Sequence, residues 1–176
     1  MGRAVIVALL AVAVLAGAAL YYLQVYAYYR PVEYGQGALN EGLVTLQVEK
    51  DGEAVPLEVA NFEGITSDSS PIRFRACFEV DPLDLSGTTS APDAEPLVAP
   101  GWFDCFDARV IGRELSAGNM RAVLDPTELE YGVSRIIAYY KDGRAFAWHQ
   151  LNRCGEAVYD GDPAPADCPP APESLN

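Results

Sequence analysis

The chain has 176 residues, with 25 acidic side chains against 12 lysines and arginines and a formal net charge of −13 at pH 7. That balance repels phosphate backbones and anionic lipid surfaces, so nucleic acid is excluded as a general partner. One histidine and four cysteines without a CxxC pair leave out zinc-type ligand spacing, and no metal or other cofactor is expected.

The first element is apolar. "AVIVALLAVAVLAGAALYYL", Ala4 to Leu23, contains neither charge nor proline. As a helix its twenty residues span ~30 Å, the thickness of a bilayer's hydrocarbon core. "YYLQVYAYYR" then places Tyr21, Tyr22, Tyr26, Tyr28 and Tyr29 where such a helix leaves the lipid. A phenol ring has an apolar body and a polar tip, so these five tyrosines are read as a membrane-interface anchor. A cleaved secretory signal is the rival reading, because "AGA" at 16–18 fits the small-residue cleavage rule. The n-region is only Met-Gly-Arg, however, and the apolar run continues past that cut. Residues 1–30 are therefore read as one transmembrane anchor, with the lipid bilayer as partner of residues 4–23.

Arg3 and Arg30 flank the span and nearly cancel, so charge does not set its orientation. The cysteines do. Cys77, Cys105, Cys154 and Cys168 all lie beyond the anchor, and an even number there reads as two disulfides in an oxidising compartment. Cys154 and Cys168 bracket a short Gly/Pro/Asp loop and are the favoured bridge, although four cysteines allow three pairings. Four free thiols in a cytoplasmic domain are the alternative. The expected topology is a single pass, with the N-terminus in the cytoplasm and the C-terminal domain in an oxidising compartment across the membrane.

Residues 31–42 read as a tether, 43–160 as one α+β domain and 161–176 as a proline-rich tail. Residues 31–176 carry ten lysines and arginines against all the acids, a balance of −15. "LVTLQVEKDGEAVPLEV" predicts a hairpin turning at Asp51-Gly52, pairing Val48 with Val55, Leu46 with Leu57 and Val44 with Val59. "PIRFRACFEV" is a strand with Phe74, Ala76, Phe78 and Val80 on one face and Arg73, Arg75 and Cys77 on the other. "DPLDLSGTTSAPDAEPLVAPGW" is a long loop of the kind that is often functional. A helix follows in "FDCFDARVIGRELSAG", capped by Asp104 and stopped at Gly118, and "MRAVL" is a short strand. "VSRIIAYYKDGRAFAWHQL" predicts a central hairpin with both faces apolar. Two-residue turn arithmetic pairs Tyr139 with Phe146, Ile137 with Trp148 and Ile136 with His149. The order is β-β-β-α-β-β-β, a mostly antiparallel sheet with one main helix.

Few residues suggest chemistry. His149 is the only histidine, no GxSxG motif offers it a nucleophile, and it is read as structural. Arg73 and Arg75 could clamp a carboxylate or phosphate. Trp102 and Phe103 could form an exposed patch that docks a partner. The aspartates of "YDGDPAPAD" do not match a calcium loop and are read as surface charge.

The segments "YYLQVYAYY", "SSPIRFRACF", "APGWFDCFDA", "DGRAFAWHQ" and "CGEAVYDG" together resemble a family of uncharacterised bacterial inner-membrane-anchored proteins. The resemblance covers nearly the whole chain. It implies single-pass topology and no activity, and it carries over no functional residue. The expected function is a non-enzymatic accessory protein that binds or stabilises a membrane-complex partner. A periplasmic sensing module for a small anionic ligand, held by Arg73 and Arg75, is the alternative. An envelope hydrolase ranks below both.

Overall fold

The computed structural model of the chain describes residues 2–85, 87–127 and 129–173. Helix α1, Gly2–Tyr22, has no buried residue. With the turn that follows, it is long and apolar enough to cross a membrane by length and composition, a test that a signal sequence also passes. The rest is a curled seven-stranded sheet with two further helices, an α+β arrangement. Its strands are β1 (Arg30–Tyr34), β2 (Leu43–Val44), β5 (Val59–Thr66), β6 (Arg75–Val80), β7 (Met120–Asp125), β8 (Val133–Tyr140) and β9 (Arg144–Leu151). They lie in the order β2-β1-β5-β6-β9-β8-β7, and β3 (Gln47–Lys50) and β4 (Glu53–Pro56) form a separate hairpin. Every pair is antiparallel except β1 with β2.

The sheet is covered on both faces at β8 and β9, as the apolar character of these strands requires. One face packs Phe74, Ala76, Ile137 and Ala147 against Leu46 and Val48 of the separate hairpin. The other packs Ile136, Ala138 and Trp148 under Phe103, Phe106 and Ile111 of helix α2, Ala108–Ser116, and the segment before it. Asp107 caps α2, where Asp104 was expected: its carboxylate accepts from the amides of Arg109 and Val110. Gly118, at φ 72°, stops the helix as expected.

The β3–β4 turn is the expected one. Asp51 and Gly52 both have positive φ, the two-residue type I′ geometry, and Val48 faces Val55. The ladder ends after the amide of Leu57 meets the carbonyl of Leu46 at 2.9 Å. Val44 and Val59 then diverge into the large sheet, pairing with Tyr34 and Val80 instead of each other.

The β8–β9 register differs from the expectation by one residue. Tyr139 faces Ala145, Ile136 faces Trp148 and Arg135 faces His149. Only Gly143 of the turn is left-handed, and its amide bonds Tyr140 O at 3.1 Å, so Lys141 joins a three-residue loop. Strand β6 enforces this turn. The Val80 amide donates to Gly143 O at 2.9 Å, and a Cβ on Gly143 would lie 2.7 Å from Val80 O.

Two further differences concern the ends of the domain. Residues 31–34, part of the expected tether, belong to β1, which pairs with β5 from Arg30 onward. A third helix, α3 (Arg153–Tyr159), is capped by Asn152, whose side-chain Oδ1 accepts from the amides of Cys154 and Gly155. The cysteines stand in two pairs at bonding distance, Cys77 with Cys105 and Cys154 with Cys168, with Cα atoms 6.3 and 5.7 Å apart. The first ties β6 to the segment before α2, and the second ties α3 to the tail.

Candidate functional site

The joint between α1 and the domain is built from residues far apart in sequence. After Tyr22 the helix widens into a π-helical turn, Leu23–Ala27. Such turns bond i to i+5 and often mark functional positions. The indole N–H of Trp102 donates to the carbonyl of Val25 in this turn at 2.7 Å. Its ring stacks on Tyr26 with centroids 6.1 Å apart and meets Tyr29 edge-on at 6.0 Å. The Arg73 guanidinium stands 5.7 Å over the Tyr29 ring. Two residues after Val25 the π turn ends, and at Arg30 strand β1 begins. Tyr28 and Tyr29 are all that lies between the π turn and β1.

This placement redistributes the five tyrosines. Tyr21, Tyr22, Tyr26 and Tyr28 are exposed around the helix exit, and Tyr26 and half-buried Tyr29 also meet the domain through Trp102. Trp102 and Phe103 do not form an exposed patch. Phe103 is only 7 % exposed within the core, and half-buried Trp102 is engaged by the chain's own helix.

Arg73 and Arg75 are likewise not a clamp. Arg73 ends a short 3-10 turn, Pro71–Arg73, and its exposed guanidinium donates to Ser69 Oγ at 3.1 Å. Arg75 is 4 % exposed. Its guanidinium donates to the carbonyls of Ile72 and Phe74 from one side and of Leu97 and Val98 from the other, at 2.6 to 3.4 Å. Burial lowers its pKa to about 10. Arg75 thus fastens the long loop to β6, and the loop also adds a bridge, Ser90 to Val123, along the edge of β7.

A second constellation is buried inside the curl. The Nε of Arg135 donates to Nε2 of His149 at 3.0 Å, and Nδ1 of His149 lies 2.7 Å from Pro71 O. With Nε2 accepting, Nδ1 carries the proton and donates to Pro71, so the ring is neutral. Burial, then the Arg135 charge, pulls its pKa down to about 3. Arg135 also donates to Asp125 at 3.2 Å and to Thr45 O at 3.0 Å. Both His149 nitrogens are engaged, so neither is left to activate a nucleophile. Sequence reading missed Arg135 and Asp125 as partners because the one-residue register slip placed His149 among apolar neighbours.

Cavities flank these groups, and one of about 390 Å³ has His149, Ser67, Asp68 and Glu130 in its lining. Another, about 690 Å³, lies under the long loop between Ile72, Leu97, Ile136 and Leu151. The amide of Gln150 beside it is used by Trp148, Glu95 and Asp93. Among the described residues no group of three or more His, Cys, Asp or Glu could hold a metal ion.

A family model described as "Family of unknown function (DUF6446)" matches residues 44–169. The match begins after α1, so it speaks for the domain and not for the apolar helix. No curated protein and no solved structure matches the chain.

Proposed function

Since the chain belongs to that family of unknown function, which brings no activity with it, we propose a function from the joint between helix and domain. The protein is a single-pass, membrane-anchored accessory protein. It holds an acidic domain, cross-linked by two cysteine pairs, in one fixed pose at the periplasmic face of a bacterial inner membrane. There it binds or stabilises a partner of a membrane complex and turns over no substrate. The observation that carries the proposal is the Trp102–Val25 bond, with Tyr26 stacked on the indole and Tyr29 against its edge, which holds the domain against the helix where a substrate-seeking domain would have a free tether. Two cysteine pairs suit an oxidising compartment, and the exposed apolar face of α1 needs lipid or a partner helix to cover it.

The rival reading, a site for a small anion, has lost its second cation to the carbonyls around Arg75. Affinity isolation of the tagged full chain from native membranes in mild detergent tests the proposal. A single partner recovered stoichiometrically is expected, and it should be lost or depleted when residues 31–176 are used alone. Recovery of no partner with the full chain would overturn the accessory role.

A further inference from the structure

We propose that the loop of residues 96–102 is a second membrane contact, which seats the domain directly on the lipid headgroups beside its own helix. The inference rests on the anchor reading above and adds to it a docking surface on the domain itself.

Depth is the first reason. The apolar run ends at Leu23, and its twenty residues fill the ~30 Å hydrocarbon core. Val25, two residues further, therefore lies at the headgroup boundary. Trp102 is hydrogen-bonded to its carbonyl, so the indole lies at that level too. Tryptophan is the residue most suited to that boundary, with a broad apolar ring and one polar N–H.

Chemistry along the loop is the second reason. "PLVAPGWF", Pro96 to Phe103, is an uncharged run between Glu95 and Asp104 in a strongly acidic domain. Val98 is 77 % exposed, the most exposed large hydrophobic residue described anywhere, above even the residues of α1. Four residues of chain reach at most about 14 Å, so Val98 stays near Trp102.

Rigidity is the third reason. Arg75 fixes the carbonyls of Leu97 and Val98, and the Phe103 amide closes a turn onto Pro100 O at 2.9 Å. A buried arginine thus holds the backbone while the valine side chain is left in the open. An exposed apolar side chain on a pinned, uncharged loop at headgroup depth fits a lipid surface. Arg73, partly exposed and 5.7 Å over the Tyr29 ring at the same joint, supplies a cation at the level of the lipid phosphates.

The test uses the full chain carrying Val98→Cys labelled with an environment-sensitive fluorophore. It is reconstituted in phosphatidylcholine vesicles with and without lipids brominated near the headgroup end of the acyl chain. The expected result is flotation with the vesicles, a blue-shifted label, and quenching of that label by the brominated lipid. Tryptophan emission should be quenched as well, and Trp102→Phe should remove that quenching, because Trp148, the other tryptophan, is fully buried. Flotation with a label that stays aqueous and unquenched would overturn the docking proposal and leave the anchor standing. A label that is aqueous in vesicles yet shielded in native membranes would also overturn it, in favour of a protein partner at the loop. Failure to float would overturn the anchor and the docking proposal together.

Discussion

Replacing Asp125 with alanine is expected to destabilise the domain by about 3–5 kcal/mol, read as a fall in its urea midpoint. Asp125 and Arg135 are an ion pair with side chains 0 and 3 % exposed. One carboxylate oxygen accepts from Arg135 and from the amide of Gln47 at 3.1 Å. The other accepts from the amide and hydroxyl of Thr127. The carboxylate thus joins the separate hairpin to the edge of the large sheet and closes the curl. Its removal leaves a guanidinium in the core with only Thr45 O, His149 and the Phe74 ring, 5.1 Å away, to replace it. A buried charge without its counterion is costly, whereas deleting both partners can be neutral. Asp125→Leu combined with Arg135→Met should therefore recover much of the loss. Asp142→Ala is the contrast, because the Asp142–Arg144 pair is more than half exposed and its loss should leave the urea midpoint nearly unmoved. A midpoint shift for Asp125→Ala no larger than that would show the buried pair to be dispensable.

Acid is expected to weaken the fold from about pH 6.5 downward, through His149. The ring has an ordinary pKa of 6.5 when the chain is unfolded and about 3 when folded. Between those values the unfolded state binds the extra proton, so stability rises with pH across this window and levels off above it. The steepest contribution is about 1.4 kcal/mol per pH unit. The groups that resist the proton are Arg135, bonded to Nε2, and Arg75, while Pro71 O holds Nδ1 and favours it. His149→Gln should flatten the stability profile between pH 6 and pH 4, measured by urea unfolding at each pH. An unchanged slope would assign the acid sensitivity to the carboxylates instead.

These two effects come from residues whose roles the sequence showed only in part. Alternation from Arg75 to Val80 identified β6, two apolar runs around Asp142-Gly143 identified β8 and β9, and apolar spacing in "FDCFDARVIGRELSAG" identified α2, although it set the cap at Asp104 and not Asp107. Turn type was not readable in the same way. "KDG" occurs twice, yet only the first Asp-Gly pair is left-handed at both residues, since β6 crowds the second turn. A single residue in the loop then decided whether His149 met an isoleucine or an arginine. β1 was hidden for another reason. "RPVEY" has one buried side chain, Val32, and contains a proline, so its pairing with β5 is a tertiary outcome with almost no local pattern. The joint itself links positions 25 and 102, and no spacing rule reaches across that separation. Arg75 was visible as an unusual cation in an acidic domain, but its partners are backbone carbonyls, which carry no sequence signature.

A fixed pose of the domain on its helix is the feature on which the proposed accessory role and the proposed lipid contact both rest. It is tested most directly by a pulsed electron-spin distance measurement in lipid nanodiscs, with labels introduced by Ala18→Cys on α1 and Lys141→Cys on the exposed β8–β9 turn. The expected result is a single narrow distance distribution, broadened when Trp102→Ala removes the bond to Val25 and the stack on Tyr26. A distribution already as broad with Trp102 present as in the Trp102→Ala protein would contradict the fixed joint.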